Sequence, residues 1–167
     1  MHLTTKYMKR LFFIILILIS YQCNKTIRSN IIGASQIATL DTAKYAIIPY
    51  ASGTKWIFSN AKAAKLIQSE IEKLESIVQQ AVTDHNQHVI NKGLEILPLE
   101  KYYRQYVATF NEKGEKVVWI NFFCSIEYND DWRKEIVYVD DGGNCYFSLR
   151  INLSTRKAYQ IDVNGYA

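Results

Sequence analysis

The feature that most constrains the fold is a double alternation near the end of the chain. Cys145, Phe147, Leu149 and Ile151 alternate with Tyr146, Ser148, Arg150 and Asn152; Tyr159, Ile161 and Val163 then alternate with Ala158, Gln160 and Asp162. A period of two puts each set on one face of a strand. Residues 153–157 carry no such period, so the pair reads as a hairpin. Its apolar face must be covered by another element.

The cover is a helix expected over residues 61–83, capped by Ser59 or Asn60. Ile67, Ile71, Leu74, Val78 and Ala81 recur at helical steps, and Leu66, Ile77 and Val82 widen the stripe. Glu70, Glu72, Lys73, Glu75 and Gln79 fall mostly elsewhere. Packing on one sheet face explains this stripe more simply than a coiled-coil seam, which needs more heptads.

Residues 102–110 and 116–126 flank Asn111-Glu112-Lys113-Gly114-Glu115 as a second hairpin, with Gly114 the permissive turn residue. Val118, Ile120, Phe122, Cys124 and Ile126 share one face, and Trp119, Asn121, Phe123 and Ser125 the other. A first strand is expected over residues 43–50, at an edge or end because Pro49 lacks a donor, and a short one over 136–139. The expected class is α+β: one long helix packed on a curled antiparallel sheet of four to five strands.

This element order resembles the cystatin-like folds, and Gln105-Tyr106-Val107-Ala108 resembles the Gln-x-Val-x-Gly inhibitory segment of cystatins. Thr109 stands at the glycine position, and the second, Pro-Trp hairpin of that family has no counterpart. The resemblance implies a sheet curled around the helix. It also implies, as one function, inhibition of a cysteine protease through Gln105 and Val107.

Ahead of the domain, residues 1–22 read as an export signal, with Lys6, Lys9 and Arg10 before a nine-residue apolar core at 11–19. That core is too short to span a bilayer, which takes about 20 residues. Cys23 follows, and the leader resembles a bacterial lipoprotein signal, although Ser20-Tyr21-Gln22 departs from the usual residues before the cysteine. The resemblance implies cleavage before Cys23 and its lipidation, with residues 23–40 as a lipid-anchored tether and 41–167 as one domain. The localisation it implies is exported, on the periplasmic or outer side of the cell envelope. Removing the leader takes the formal charge from +4 to +1. No clustered excess of Lys and Arg remains, so nucleic acid is not an expected partner.

Cys124 and Cys145 are left as an even pair in an oxidising compartment, either bonded across the sheet or buried as two small hydrophobes. His85 and His88 beside Asp84 could hold a metal, but no third and fourth ligands are evident, and a solvated helix terminus, whose dipole suits histidine, explains them more simply. Glu127, Asp130, Asp131, Asp140 and Asp141 do not have calcium-loop spacing, and Asp-Asp-Gly-Gly-Asn is ordinary turn chemistry. No metal or cofactor is expected.

The chain holds twelve tyrosines, and Tyr102, Tyr103, Tyr106, Tyr138, Tyr146 and Tyr159 are spread over the strand regions. Tyr102, Tyr106, Tyr146 and Tyr159 are the candidates for a binding surface, if they face outward and are not simply strand formers. Signatures of nucleophilic, zinc and phosphate-loop enzymes are missing from the sequence. The leading expectation is therefore a non-catalytic, lipid-anchored envelope module that binds an envelope protein. The alternative is a carrier or enzyme using the concave sheet as a pocket, with Arg104 and Asp162 as its inward-facing ionisable groups.

Overall fold

The computed structural model describes residues 41–127 and 129–165. The leader, Cys23 and the tether lie outside the described residues. Elements follow in the order β1 (Tyr45–Ile47), β2 (Lys62–Ala63), α1 (Gln68–His88), β3 (Tyr103–Phe110), β4 (Lys116–Phe123), β5 (Tyr146–Asn152) and β6 (Lys157–Val163). The class is α+β, with α1 on a six-stranded sheet of order β1-β3-β4-β5-β6 and β2 also paired to β3.

The sheet is mixed, which corrects the expectation of a purely antiparallel one: β1 runs parallel to β3, with Tyr45 opposite Arg104 and Ile47 opposite Tyr106. Parallel neighbours need a long crossover. Here it is the chain between Ile47 and Tyr103, which includes α1. Pro49 ends β1, one residue after the Ile48 amide donates to Tyr106 O at 2.9 Å.

The helix also starts later and ends later than the expected 61–83. Lys62–Ala63 pairs with Phe110 and Thr109 of β3 instead of joining the helix. Ile67 is the N-cap, exposed, and its amide donates to the Glu70 carboxylate at 3.1 Å. That is one arm of a capping box. At the other end α1 runs through His88, and the Asn86 side chain clamps both backbone groups of Ile96.

Ile71, Leu74, Val78 and Val82 of α1 meet Tyr106, Val118, Ile120, Phe122, Phe147, Leu149 and Ile151 of the sheet in the larger core. A second core lies on the other face, where Val107, Val117, Trp119 and Phe123 are covered by Ala46, Ile48, Ile57, Phe58, Trp132 and Val137. So β3 and β4 are buried almost continuously, whereas β5 alternates.

Residues 136–139 form no strand; they belong to the irregular cover of this second face. β4 ends at Phe123, although the Cys124 amide still reaches Cys145 O. In β6 a register shift opposite Arg150 and Ile151 skips Tyr159. The bulge turns Tyr159 outward while Ala158, Ile161 and Val163 pack on the core, so Tyr159 does not share their face. Gly142 has a φ of 93°, and a Cβ there would lie 2.5 Å from the Tyr146 ring, so both conformation and space require glycine. No helix among the described residues is long and apolar enough to cross a membrane.

Candidate functional site: an aromatic groove on the second face

The expected site residues do not converge. Tyr102 and Tyr106 are fully buried under α1, which removes them from any binding surface. Tyr106 is held there by donating its hydroxyl to Glu75, and burial with the neighbouring Glu75 charge raises it well above the usual tyrosine value. Tyr146 is half-buried on the opposite face, and Tyr159 is exposed on the edge strand β6. The segment resembling the cystatin motif lies inside β3, with Gln105 and Val107 at 0% exposure, so it is not presented to a partner.

Arg104 is inward-facing but engaged. Its Nε lies 3.2 Å from Glu75 Oε2, off the line of a straight hydrogen bond, and its other nitrogens donate to the Tyr102 and Leu99 carbonyls. Asp162 is exposed on β6 and accepts from Gln160. The sheet face expected to hold a pocket is packed by α1.

His85 and His88 each bond a backbone carbonyl, of Leu94 and Asp84 respectively. Among the described residues no group of three or more His, Cys, Asp or Glu could hold a metal ion. Cys124 and Cys145 are joined as a disulfide, with Cα atoms 5.3 Å apart.

A groove of about 570 Å³ opens instead on the second face, lined by Ile48, Gly53, Thr54, Trp56, Lys134, Glu135, Ile136 and Tyr138. One wall is the turn that follows β1. Thr54 locks it: its hydroxyl accepts from the Ala51 amide at 2.8 Å and faces the Pro49 and Ala51 carbonyls at 3.2 Å. The opposite wall, residues 134–138, is irregular chain held from beneath by two amides of the sheet. Gln105 donates to the Trp132 and Glu135 carbonyls and accepts from the Val137 amide at 2.9 Å. Asn121 donates to Val137 O at 2.7 Å. Buried backbone without a ladder partner needs such substitutes.

Trp56 and Tyr138 are 58% and 71% exposed, unlike the buried aromatic residues around them. Their rings meet edge to face at 6.3 Å and 86°, and Trp56 makes a second edge-to-face contact with the buried Trp119 at 5.7 Å. The Trp56 indole N–H donates to Gly53 O at 3.1 Å. The neighbouring Asp140 carboxylate raises the Tyr138 hydroxyl above the usual value. Lys134 pairs with Asp131 at 3.2 Å on the exposed rim.

These groups can stack and hydrogen-bond a ligand. Thr54, the one aliphatic hydroxyl in the lining, has its oxygen committed to the backbone. Trp56 and Glu135 lie outside every periodic stripe of the sequence, and no pattern singled them out. Tyr138 stood among the tyrosines with nothing to mark it as exposed. No family model, no curated protein and no solved structure matches the chain.

Proposed function

We propose that this domain is a non-catalytic binding module of the cell envelope, exported, held on a membrane surface by lipid on Cys23, and engaging its ligand in the Trp56–Tyr138 groove. The observation that carries the reading is the exposure of two large rings side by side on a braced surface, next to a groove of about 570 Å³. Ligand sites typically fall between about 300 and 1,000 Å³ and combine apolar walls with a few placed polar groups. The leader and Cys23 support the anchoring, since an acyl chain contributes about 0.8 kcal/mol per buried methylene. A small-ligand carrier would use this same groove.

The test is native followed by denaturing mass spectrometry of the protein purified from its own membranes, as wild type and as Trp56→Ala. A chain beginning at acylated Cys23, with a companion mass that Trp56→Ala loses, is the expected result. An unmodified amino terminus would remove the anchor. A companion retained by Trp56→Ala would remove the groove.

A further inference from the structure

We propose that the ligand of the groove is an oligosaccharide, one of whose pyranose rings lies flat on the Trp56 indole while its hydroxyls bond the Glu135 and Lys134 side chains; this rests on the binding reading above. Because the indole N–H is already spent on Gly53 O and the side chain is largely exposed, Trp56 offers a ligand chiefly apolar ring surface. Two edge-to-face contacts, with Trp119 and Tyr138, fix that ring, so little order is lost when a ligand stacks on it. The π face is electron-rich and attracts the polarised C–H bonds of a ring that presents them on one side.

The rim then narrows the choice. Lys134, already paired with Asp131, and Glu135 set both charge signs at the exposed rim beside the aromatic platform, and Asp140 follows two residues after Tyr138. An anion would meet Glu135 and a cation Lys134, whereas vicinal hydroxyls can donate to the carboxylate and accept from the ammonium at once. A molecule with an apolar C–H face and a girdle of hydroxyls matches both features, and a pyranose is such a molecule.

A proline-rich peptide is the competing occupant, since aromatic-lined grooves also take the polyproline helix. It needs slots between rings that stand apart. At 6.3 Å and 86° the Trp56 and Tyr138 rings touch edge to face and leave no such slot between them.

The chain's own fluorescence tests this, because of its three tryptophans Trp119 and Trp132 are buried and Trp56 is exposed. The full chain in detergent would be titrated with the tetramers of N-acetylglucosamine, β-1,4-glucose and α-1,4-glucose, with a soluble peptidoglycan fragment, and with decaproline. The expected result is a saturable blue shift with at least one saccharide; calorimetry, which does not depend on the Trp56 reporter, should show that binding weakened roughly tenfold to a hundredfold in Trp56→Ala and in Tyr138→Ala. Tyr159→Ala, on the far edge strand, should bind as wild type, and circular dichroism would show each variant folded. Three results would overturn the proposal: no saccharide binds, decaproline alone binds, or saccharide binding survives both groove substitutions. If no saccharide binds while Trp56→Ala still loses a companion mass, the saccharide is wrong and the binding module stands.

Discussion

The side-chain amides of Gln105 and Asn121 face each other across β3 and β4, with Asn121 Nδ2 donating to Gln105 Oε1 at 3.1 Å. Between them they satisfy the Trp132, Glu135 and Val137 backbone that forms one wall of the groove. Gln105→Leu keeps most of the volume and leaves the Trp132 and Glu135 carbonyls and the Val137 amide without that partner. Orphaned buried groups cost about 1–3 kcal/mol each, in part recovered by relaxation. The expected loss is about 3 kcal/mol in urea unfolding. Amide exchange should rise over residues 132–138 and stay slow in α1.

A second buried polar set lies under the helix, where Glu75 accepts from Tyr106 and faces Arg104. Both charged side chains are well shielded, at 5% and 12% exposure. Removing one partner of such a pair strands the other charge, a loss of about 3–5 kcal/mol, while replacing both with apolar groups is often neutral. Glu75→Ala should therefore destabilise strongly, and Arg104→Met combined with Glu75→Leu, in a Tyr106→Phe background so that no buried hydroxyl loses its acceptor, should restore most of the loss. A double-mutant cycle from denaturant midpoints checks it.

Much of the fold was legible because its signals are local. The β3–β4 and β5–β6 hairpins follow from alternation and short turns, and Ile71, Leu74 and Val78 do face the core. The strand within residues 43–50 and its edge place were legible, but its parallel pairing was not, since its partner lies across the whole crossover and nothing in three residues encodes that pairing. The helix start differs because Ser59 and Asn60, good cap residues by type, do not cap it: Lys62–Ala63 pairs beside β3, and the helix begins after Ile67, where the apolar stripe itself begins. The groove was hidden for a related reason. Gln105 and Asn121 read as polar strand positions, yet they point into irregular chain that no periodicity announces. Burial of Tyr102 and Tyr106 likewise depended on which strand face α1 would cover.

Alkaline pH should weaken the fold through Tyr106. Its hydroxyl titrates well above 10 in the folded domain, through burial and the Glu75 charge, and near 10 when unfolded. Below pH 10 both states hold the proton and this stabilisation is fully present. Above it the unfolded chain releases the proton and the folded one keeps it, so stability falls by about 1.4 kcal/mol per pH unit until the folded value is reached. Tyr106→Phe should reduce the slope of stability against pH by one proton. Chemical unfolding of both proteins between pH 9 and 11 measures the difference.

The disulfide bears on both stability and the groove. Cys124 and Cys145 are 21 residues apart, and the chain they close off carries Trp132, Glu135, Val137 and Tyr138, the wall opposite Trp56. Closing a loop of this size is worth about 3 kcal/mol, by restricting the unfolded chain. The paired change Cys124→Ser and Cys145→Ser should lower stability by about that much. The Gln105 and Asn121 amides still hold the middle of the segment, and the single 3-10 turn Gly143–Cys145 still leads into β5, so the sheet should remain. What loosens is the segment's two ends. Exchange should therefore rise over residues 125–131 and 139–144 first, with ligand affinity falling less than in Trp56→Ala. An equal loss in both proteins would mean that the bond, and not the buried amides, sets the shape of the groove.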